Sequence, residues 1–293
     1  MRVLFLLFTV IFLCSAKPLI TKELIEEVKQ TATWTVTEYE ENVFKGIEDE
    51  DVTADSKEPL EFNNLRESQI VDDLEFQAKS EPINCTLPVR DMKDQCFGSS
   101  FAFAVAGMAS MRCCAKTGEN FGWLSIMEIV SCDSKNYGCA GGWPIYSAKY
   151  VEANGLVPEI CYPYNGNNEG CPNKCKDGTE FKVAHKCKAT NVVTLKSLDD
   201  AKKALEKGPV VVSFEAYADF FTYKNGTYCH TAGAFKRVIS LLAVGFTDKP
   251  KPTITFLAPY GPKFGENGYI NMCTTCCGMF GKYEKGNVVM DIL

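Results

Sequence analysis

Residues Asp94 to Phe103 read DQCFGSSFAF and lead into a run of apolar and small residues. Apolar side chains recur at helical spacing from Phe101 to about Cys114, which predicts a buried helix, and Gly118 is a typical helix stop. The N-terminus of a helix carries a partial positive charge, which would stabilise an ionised cysteine side chain there. The residues at this N-terminus are the serines Ser99 and Ser100, whose hydroxyls gain little from that charge.

Composition predicts a folded protein with a full core. The chain has 293 residues, 46% of them hydrophobic, and a net charge of -6. Such a chain forms one large or two small domains. The acidic balance argues against nucleic-acid binding, because the sequence has no Lys/Arg-rich run to neutralise phosphates.

The first 16 residues have the pattern of a secretory signal peptide. Met1-Arg2 precedes an apolar run from Val3 to Leu13, and Cys14-Ser15-Ala16 forms a small-residue cleavage site. The apolar run is too short to span a bilayer comfortably, so we predict no membrane span. The expected location is the secretory pathway, with the protein secreted or held in a lysosome-like or vacuole-like compartment.

The cysteines predict disulfides. The sequence contains 15 cysteines, and removal of Cys14 with the signal leaves an even number in an oxidising compartment. Zinc binding by Cys273, Cys276 and Cys277 is the alternative, but neither of the 2 histidines is near them in sequence. We therefore predict no metal and no cofactor.

Two sequons mark candidate surface loops. Asn84-Cys85-Thr86 and Asn225-Gly226-Thr227 each match the N-glycosylation pattern, so Asn84 and Asn225 are candidate glycosylation sites.

The N-terminal region predicts one helix followed by a linker. Leu24, Ile25 and Val28 have helical spacing, and the run from Glu38 to Asp55 is acidic and reads as solvated.

The second half of the chain predicts a small β-domain. Period-2 and continuous apolar runs bounded by Gly and Pro indicate strands at Val210–Phe214, Ser240–Phe246, Thr253–Leu257 and Gly268–Met272.

Two blocks carry a resemblance to a known family. Tyr137 to Pro144 reads YGCAGGWP, and together with Leu124 to Cys132 it is similar to the Gly-Cys-x-Gly-Gly and Leu-Ser-x-Gln-x-Leu-Val-x-Cys blocks of papain-family cysteine peptidases, cathepsin B among them. The resemblance extends from about Pro59 to the C-terminus.

The resemblance implies an α+β, papain-like fold of two domains with a cleft between them. The left domain would be mainly helical and the right domain a β-sheet or barrel. The family's mature start resembles the stretch from Pro59 to Arg66, so residues 17–57 would be a propeptide-like segment and residues 58–293 the peptidase domain.

In the family, paired glycines line the cleft, because a bare backbone lets a substrate strand approach closely. Gly141 and Gly142 are the matching residues. The alternative is that they only form a turn after a disulfide.

The resemblance also implies four disulfides of the cathepsin B type, although sequence alone fixes no connectivity. The implied pairs are Cys85–Cys113, Cys96–Cys139, Cys132–Cys171 and Cys161–Cys175.

The position of the family's catalytic cysteine holds a serine. Aligning Phe101-Ala102-Phe103 with the family's Trp-Ala-Phe places Ser100 at the nucleophile, and a shift by one residue would place Ser99 there. Gln95 resembles the oxyanion glutamine, but it lies five residues before Ser100 where the family has six. An oxyanion donor must sit about 3 Å from the developing charge, so this shift leaves its role in doubt.

The other two catalytic positions are apolar. Counting from Tyr228-Cys229-His230 or from Val244-Gly245-Phe246 places Ile239 at the family's histidine. The family's asparagine matches Ala258, and the tryptophan that shields it matches Tyr260.

Neither histidine replaces the missing base. His230 matches the family's upstream histidine, and His185 lies in a predicted loop where we expect it to be exposed.

These residues predict a secreted, catalytically inactive cathepsin B-like protein that binds a peptide or protein in the cleft. Cystatin-like or propeptide-like inhibitors are candidate partners. The alternatives are a residual hydrolase that uses Ser100 with another base, such as Lys236, or a structural glycoprotein. A serine nucleophile needs a base to take its proton, which makes the base the discriminating feature.

Overall fold

The computed structural model describes residues 19–39, 44, 84–92 and 96–293. The predicted signal peptide, the boundary near Lys57 and Gln95 lie outside the described residues.

The helices of the described residues lie between Lys22 and Glu206. They are α1 (Lys22–Thr31), α2 (Ser100–Thr117), α3 (Ile126–Cys132), α4 (Pro144–Asn154), α5 (Phe181–Ala184) and α6 (Leu198–Glu206). Short 3-10 turns at Gly138–Ala140, Ala218–Thr222 and Glu284–Gly286 connect some of these elements.

The predicted central helix is confirmed as α2. It begins at Ser100 and ends at Thr117, about one turn later than the predicted end. Gly118 ends the helix with φ 72°, a left-handed conformation that glycine adopts without a Cβ clash. Its side chains are buried from Ser100 onward except in the last turns, so α2 lies in the middle of the core.

The strands form one large sheet and one small sheet. They are β1 (Thr35–Val36), β2 (Ala189–Thr194), β3 (Val210–Tyr217), β4 (Tyr223–Asn225), β5 (Thr227–Tyr228), β6 (Phe235–Thr247), β7 (Thr253–Leu257), β8 (Tyr269–Cys273) and β9 (Val288–Ile292). The large sheet has the order β2-β9-β3-β6-β7-β8-β5, and β1 pairs with β4. The four predicted strands are confirmed as β3, β6, β7 and β8.

Helix α2 packs directly on strand β6. Gly107 permits this close contact, since a Cβ at that position would lie 2.7 Å from Leu242 Cδ2 and 3.2 Å from Trp123. The packing buries the helix against the sheet and yields the α+β, two-domain papain-like architecture.

Seven disulfides lie within the part of the chain that the structure describes. The pairs are Cys85–Cys114, Cys96–Cys139, Cys113–Cys187, Cys132–Cys171, Cys161–Cys175, Cys229–Cys273 and Cys276–Cys277.

The expected pair Cys85–Cys113 is wrong, because Cys85 bonds to Cys114 and Cys113 bonds to Cys187. Adjacent residues on a helix point about 100° apart. Cys114 therefore faces the chain that enters the domain, while Cys113 faces the chain that leaves α5.

The N-terminal segment is part of the packed structure. Strand β1 pairs with β4 in an antiparallel manner, and Val28 and Trp34 are buried in the core. Phe44 is 3% exposed, although it lies in the acidic run that we expected to be solvated. The Phe44 side chain is buried in the core even though the residues around it in the sequence are acidic.

Removal of the Phe44 ring tests how firmly the segment is bound. Phe→Ala substitutions at buried sites cost about 3–5 kcal/mol, so we expect Phe44→Ala to lower the free energy of unfolding by about 3 kcal/mol in urea titrations with the disulfides intact. Glu26→Ala, on the exposed face of α1, is the control and should stay within about 0.5 kcal/mol of the wild type. Equal midpoints for the two variants would contradict tight docking.

Candidate functional site

Ser100 lies at the first position of α2, where the helix meets strand β6. Its Oγ accepts a hydrogen bond of 3.3 Å from the Ser240 N–H, and the residue is 1% exposed. Ser99, which the alternative register would use, donates its hydroxyl to the Cys96 carbonyl at 2.7 Å. Ser99 is thus engaged with the preceding turn, and Ser100 is the serine that contacts the sheet.

Ile239 lies in the middle of strand β6, next to Ser240. It is opposite Phe214 in the β3–β6 register and is fully buried. The hydroxyls of Ser240 and Ser213 are 2.6 Å apart. The strand beside Ser100 is therefore packed and hydrogen-bonded, with an apolar side chain at the position predicted for the base.

Ala258 follows strand β7 and is also fully buried. Its N–H donates to the Gly268 carbonyl at 2.9 Å. Ala258 and Ser240 line the same small cavity, together with Phe103 and Leu257. The fold thus brings the three predicted triad positions to one region, where the side chains are a hydroxyl, an isoleucine and a methyl group.

Each histidine of the chain is paired with a buried carboxylate. His230 Nδ1 lies 3.0 Å from Asp219 Oδ1, and Asp219 also accepts from the Tyr228 hydroxyl at 2.7 Å. The stacked ring of Tyr217 lies 3.7 Å from the imidazole centroid. His230 therefore organises the loop at the end of β5.

The expected exposure of His185 is wrong. Its side chain is 19% exposed, and Nε2 lies 2.8 Å from Oε1 of the fully buried Glu128. The Tyr150 hydroxyl donates to the same oxygen at 2.9 Å. A buried carboxylate needs such hydrogen-bond partners. The sequence around His185 carried no signal of this contact, because Glu128 is distant from it in the chain.

The paired glycines contact a buried polar network. A Cβ on Gly142 would lie 2.5 Å from Asn136, whose Nδ2 donates to Asp133 at 2.7 Å and to Ser147 at 2.9 Å. Gly141 has φ 117°, which favours glycine. Packing and turn geometry thus require both glycines, which favours the turn interpretation without excluding the cleft-lining one.

An aromatic pocket that was not predicted from the sequence includes residues that flank Ser100 and Ala258 in the chain. We define the aromatic pocket by Phe97, Phe221, Tyr260 and Phe264. Its occupant is the ring of Phe44, whose centroid lies 6.1, 4.9, 5.1 and 5.8 Å from the four rings in that order. Local sequence patterns carried no signal of this pocket, because its walls come from three separate parts of the chain: Phe97, Phe221, and the loop that holds Tyr260 and Phe264.

Tyr39 anchors the same segment next to the aromatic pocket. Its hydroxyl accepts a 2.7 Å bond from the Gly265 N–H and donates to the Tyr223 carbonyl. Burial raises the pKa of Tyr39 to about 12, and the bond from Gly265 opposes that shift only in part. The phenol is neutral at physiological pH and able to donate.

Within the described ranges, no cluster of three His, Cys, Asp or Glu side chains is arranged to hold a metal ion. Cys273, Cys276 and Cys277, the alternative zinc ligands, are all in disulfides. In the same part of the chain, no helix has the length and apolar character needed to cross a membrane.

Both sequon asparagines are exposed. Asn84 lies before Cys85, and Asn225 is on β4 opposite Thr35 of the N-terminal segment. Both positions are accessible to glycosylation.

Comparison with known proteins shows the family. The profile described as "Papain family cysteine protease" matches residues 75–285. Cathepsin B-like CP3 of Giardia intestinalis is 31% identical over 193 residues, which cover 62% of this chain and 64% of that protein. Cathepsin B-like cysteine proteinase 4 of Caenorhabditis elegans is 30% identical over 242 residues, which cover 70% of this chain and 72% of that protein.

A solved structure titled proCathepsin B S9 from Trypanosoma congolense has the same fold. It superimposes with a TM-score of 0.75 at 21% identity and covers 94% of this chain and all of that one. The chain belongs to the papain family of cysteine proteases and, within it, to the cathepsin B-like group.

Substitution of Gly142 tests the packing reason for the paired glycines. Asn136 is buried and hydrogen-bonded, so we expect the added methyl of Gly142→Ala to lower the free energy of unfolding by about 1–3 kcal/mol, as overpacking does. Gly281→Ala is the matched control, because the nearest atom to its Cβ is 4.0 Å away. If both variants unfold at the same urea concentration, Asn136 moves to accommodate the added methyl group without loss of stability, and the packing argument fails.

Proposed function

We propose that this protein is a catalytically inactive cathepsin B-like protein that binds a peptide or protein segment in its retained cleft. The observation that carries the proposal is the surroundings of Ser100. The strand whose Ser240 N–H donates to the Ser100 hydroxyl carries the fully buried Ile239 at the adjacent position. An isoleucine can neither accept the hydroxyl proton nor orient an imidazole.

The histidines support the same proposal. Each side chain lies within hydrogen-bond distance of a fully buried carboxylate, His230 of Asp219 and His185 of Glu128. Loss of a single essential member of a catalytic triad costs up to roughly a million-fold in turnover. Serine at the nucleophile position with isoleucine and alanine at the other two leaves only the weak acceleration that binding and electrostatics provide.

The N-terminal segment supports binding as the remaining role of the cleft. The aromatic pocket encloses the side chain of Phe44, which belongs to the N-terminal segment. A pocket that holds this residue can hold an aromatic side chain of a peptide. The likeness to a proenzyme structure suggests that residues 17–57 correspond to a propeptide and residues 58–293 to the peptidase domain. The seven disulfides and the cathepsin B-like relatives fit a secretory or lysosome-like location, with residues 1–16 as the signal peptide and with Asn84 and Asn225 as glycosylation sites.

Peptide turnover tests the absence of catalysis. We expect the protein, with the N-terminal segment cleaved by an added protease, to hydrolyse a fluorogenic peptide library no faster than its Ser100→Ala variant, because isoleucine and alanine occupy the positions that align with the family's base and with the residue that orients it. Ser99→Ala is the control for the alternative register. Turnover that disappears only in Ser100→Ala would assign a catalytic role to this serine and would reject the proposal.

An inactive protein cannot trim its own N-terminal segment. We therefore expect mass spectrometry of the protein, expressed and purified without other proteases, to show an N-terminus near Lys17 with residues 17–57 still attached. New N-termini near residue 57 that appear during incubation of the purified wild type, and not of Ser100→Ala, would contradict inactivity.

A further inference from the structure

One of the described disulfides joins two neighbours in the sequence. Cys276 and Cys277 are bonded to each other, with a sequence separation of 1. The other six disulfides join residues that are 14 to 74 positions apart. In the loop-closure model, a disulfide stabilises a fold because it closes a loop of the unfolded chain, and longer loops give more stabilisation. The Cys276–Cys277 bond closes no such loop, so the fold opposes its reduction less than that of the other six.

A tight turn holds this disulfide. The chain has another adjacent pair, Cys113 and Cys114, but these residues point about 100° apart on helix α2 and bond to distant partners. Cys276 and Cys277 lie instead between β8 and the last 3-10 turn. Cys277 has φ 66°, a left-handed conformation that non-glycine residues rarely adopt. The disulfide closes a small ring that includes the peptide bond between the two cysteines, and it therefore restricts the backbone of this turn.

The two sulfurs of the pair differ in accessibility. Cys277 is 8% exposed, whereas Cys276 is partly exposed. Thiol–disulfide exchange requires a thiolate to reach one sulfur of the bond, so Cys276 is the sulfur that a small thiol in solution attacks. Cys171, which is bonded to Cys132, is more exposed than either. If exposure alone decided reactivity, the Cys132–Cys171 bond would open first.

The turn that holds the disulfide is hydrogen-bonded to strand β3. The Glu215 N–H donates to the Cys277 carbonyl at 2.7 Å. Glu215 follows Phe214, which lies opposite Ile239 of strand β6. The Cys277 carbonyl thus holds β3 one residue away from the position paired with Ile239.

We propose that Cys276–Cys277 is a thiol–disulfide exchange site for a low-molecular-weight thiol, and that its opening releases the Cys277 carbonyl from strand β3. This site goes beyond the proposed peptide binding and does not depend on it. In the first step, the thiolate of the small thiol attacks the Cys276 sulfur. A bond forms between these two sulfurs and the Cys276–Cys277 bond breaks. Cys277 leaves as a thiolate and takes up the proton that the attacking thiol lost.

A second molecule of the small thiol completes the reduction. Its thiolate attacks the sulfur of the first small thiol in the mixed disulfide, and Cys276 leaves as a thiolate that takes up the second proton. Two small thiols are thereby oxidised to one disulfide, and their two electrons and two protons convert the protein disulfide into two thiols. The reduced turn has no ring to restrict it, so Cys277 leaves its left-handed conformation and its contact with Glu215.

The first test measures which disulfide opens first. The folded full chain is incubated with graded concentrations of reduced glutathione at neutral pH, free thiols are trapped with iodoacetamide, and the modified cysteines are located by mass spectrometry. We expect Cys277 to be trapped, and Cys276 to be trapped or to carry glutathione, at a glutathione concentration at least tenfold lower than that needed to open Cys132–Cys171.

Three outcomes of this experiment would overturn the proposal. Opening of Cys132–Cys171 before or together with Cys276–Cys277 would show that exposure decides the reactivity. A Cys276–Cys277 bond that opens only when the protein unfolds would show a structural disulfide. Trapping of Cys276 and Cys277 without added glutathione would show that there is no bond to exchange.

The second test measures the link to β3 by hydrogen exchange. We expect the Glu215 amide to exchange at least tenfold faster in the selectively reduced protein, because its N–H has lost its acceptor. The double variant Cys276→Ser and Cys277→Ser should exchange at this faster rate with or without glutathione. The Ala258 amide, which donates to the Gly268 carbonyl at 2.9 Å, is the control and should exchange equally in all samples. Unchanged exchange at Glu215 in the reduced protein would overturn the release of the Cys277 carbonyl.

Discussion

The packing of helix α2 against strand β6 is the contact on which the rest of the structure depends. The helix is buried over most of its length, and Gly107 lets Leu242 and Trp123 approach its backbone. This contact places the N-terminus of the helix against the middle of the strand, so that Ser100 meets Ser240. Ser100, Ile239 and Ala258, the positions that align with the family's triad, lie at this junction of helix and sheet.

Local patterns predicted the elements that build this junction. The small and apolar residues after Phe101 predicted α2, and alternating or continuous apolar runs predicted β3, β6, β7 and β8. Strands β2 and β9 were missed, since both lie near polar residues, and β9 is placed by long-range pairing with β2 and β3. The family resemblance supplied the two-domain α+β architecture and three of the seven disulfides.

Sequence reasoning failed where a side chain's environment comes from distant segments. Phe44 appeared to be part of a solvated acidic run, but four rings from elsewhere in the chain bury it. His185 had no local partner, but Glu128 reaches it from α3. The choice between Cys113 and Cys114 depends on the rotation of α2, which is not encoded in the spacing of cysteines. In each case the determining contact is long-range.

The two apolar residues at the positions that align with the family's histidine and asparagine carry no burial penalty for polar groups. A buried imidazole or amide needs hydrogen-bond partners, and its burial without them costs free energy. Ile239 and Ala258 avoid this cost, since both pack within the apolar core. At these positions the surrounding sheet accommodates apolar side chains, which need no hydrogen-bond partners.

Adjacent cysteines at the end of α2 give the chain an unusual covalent connectivity. Cys114 is bonded to Cys85, upstream of the helix, and Cys113 is bonded to Cys187, far downstream of it. The two bonds close consecutive loops that share the end of one buried helix. A single break in the backbone anywhere between residues 85 and 187 therefore leaves one covalent molecule, whose halves separate only after reduction. In an environment rich in active proteases, a nicked surface loop would not release a fragment, and the buried helix would keep both halves in register.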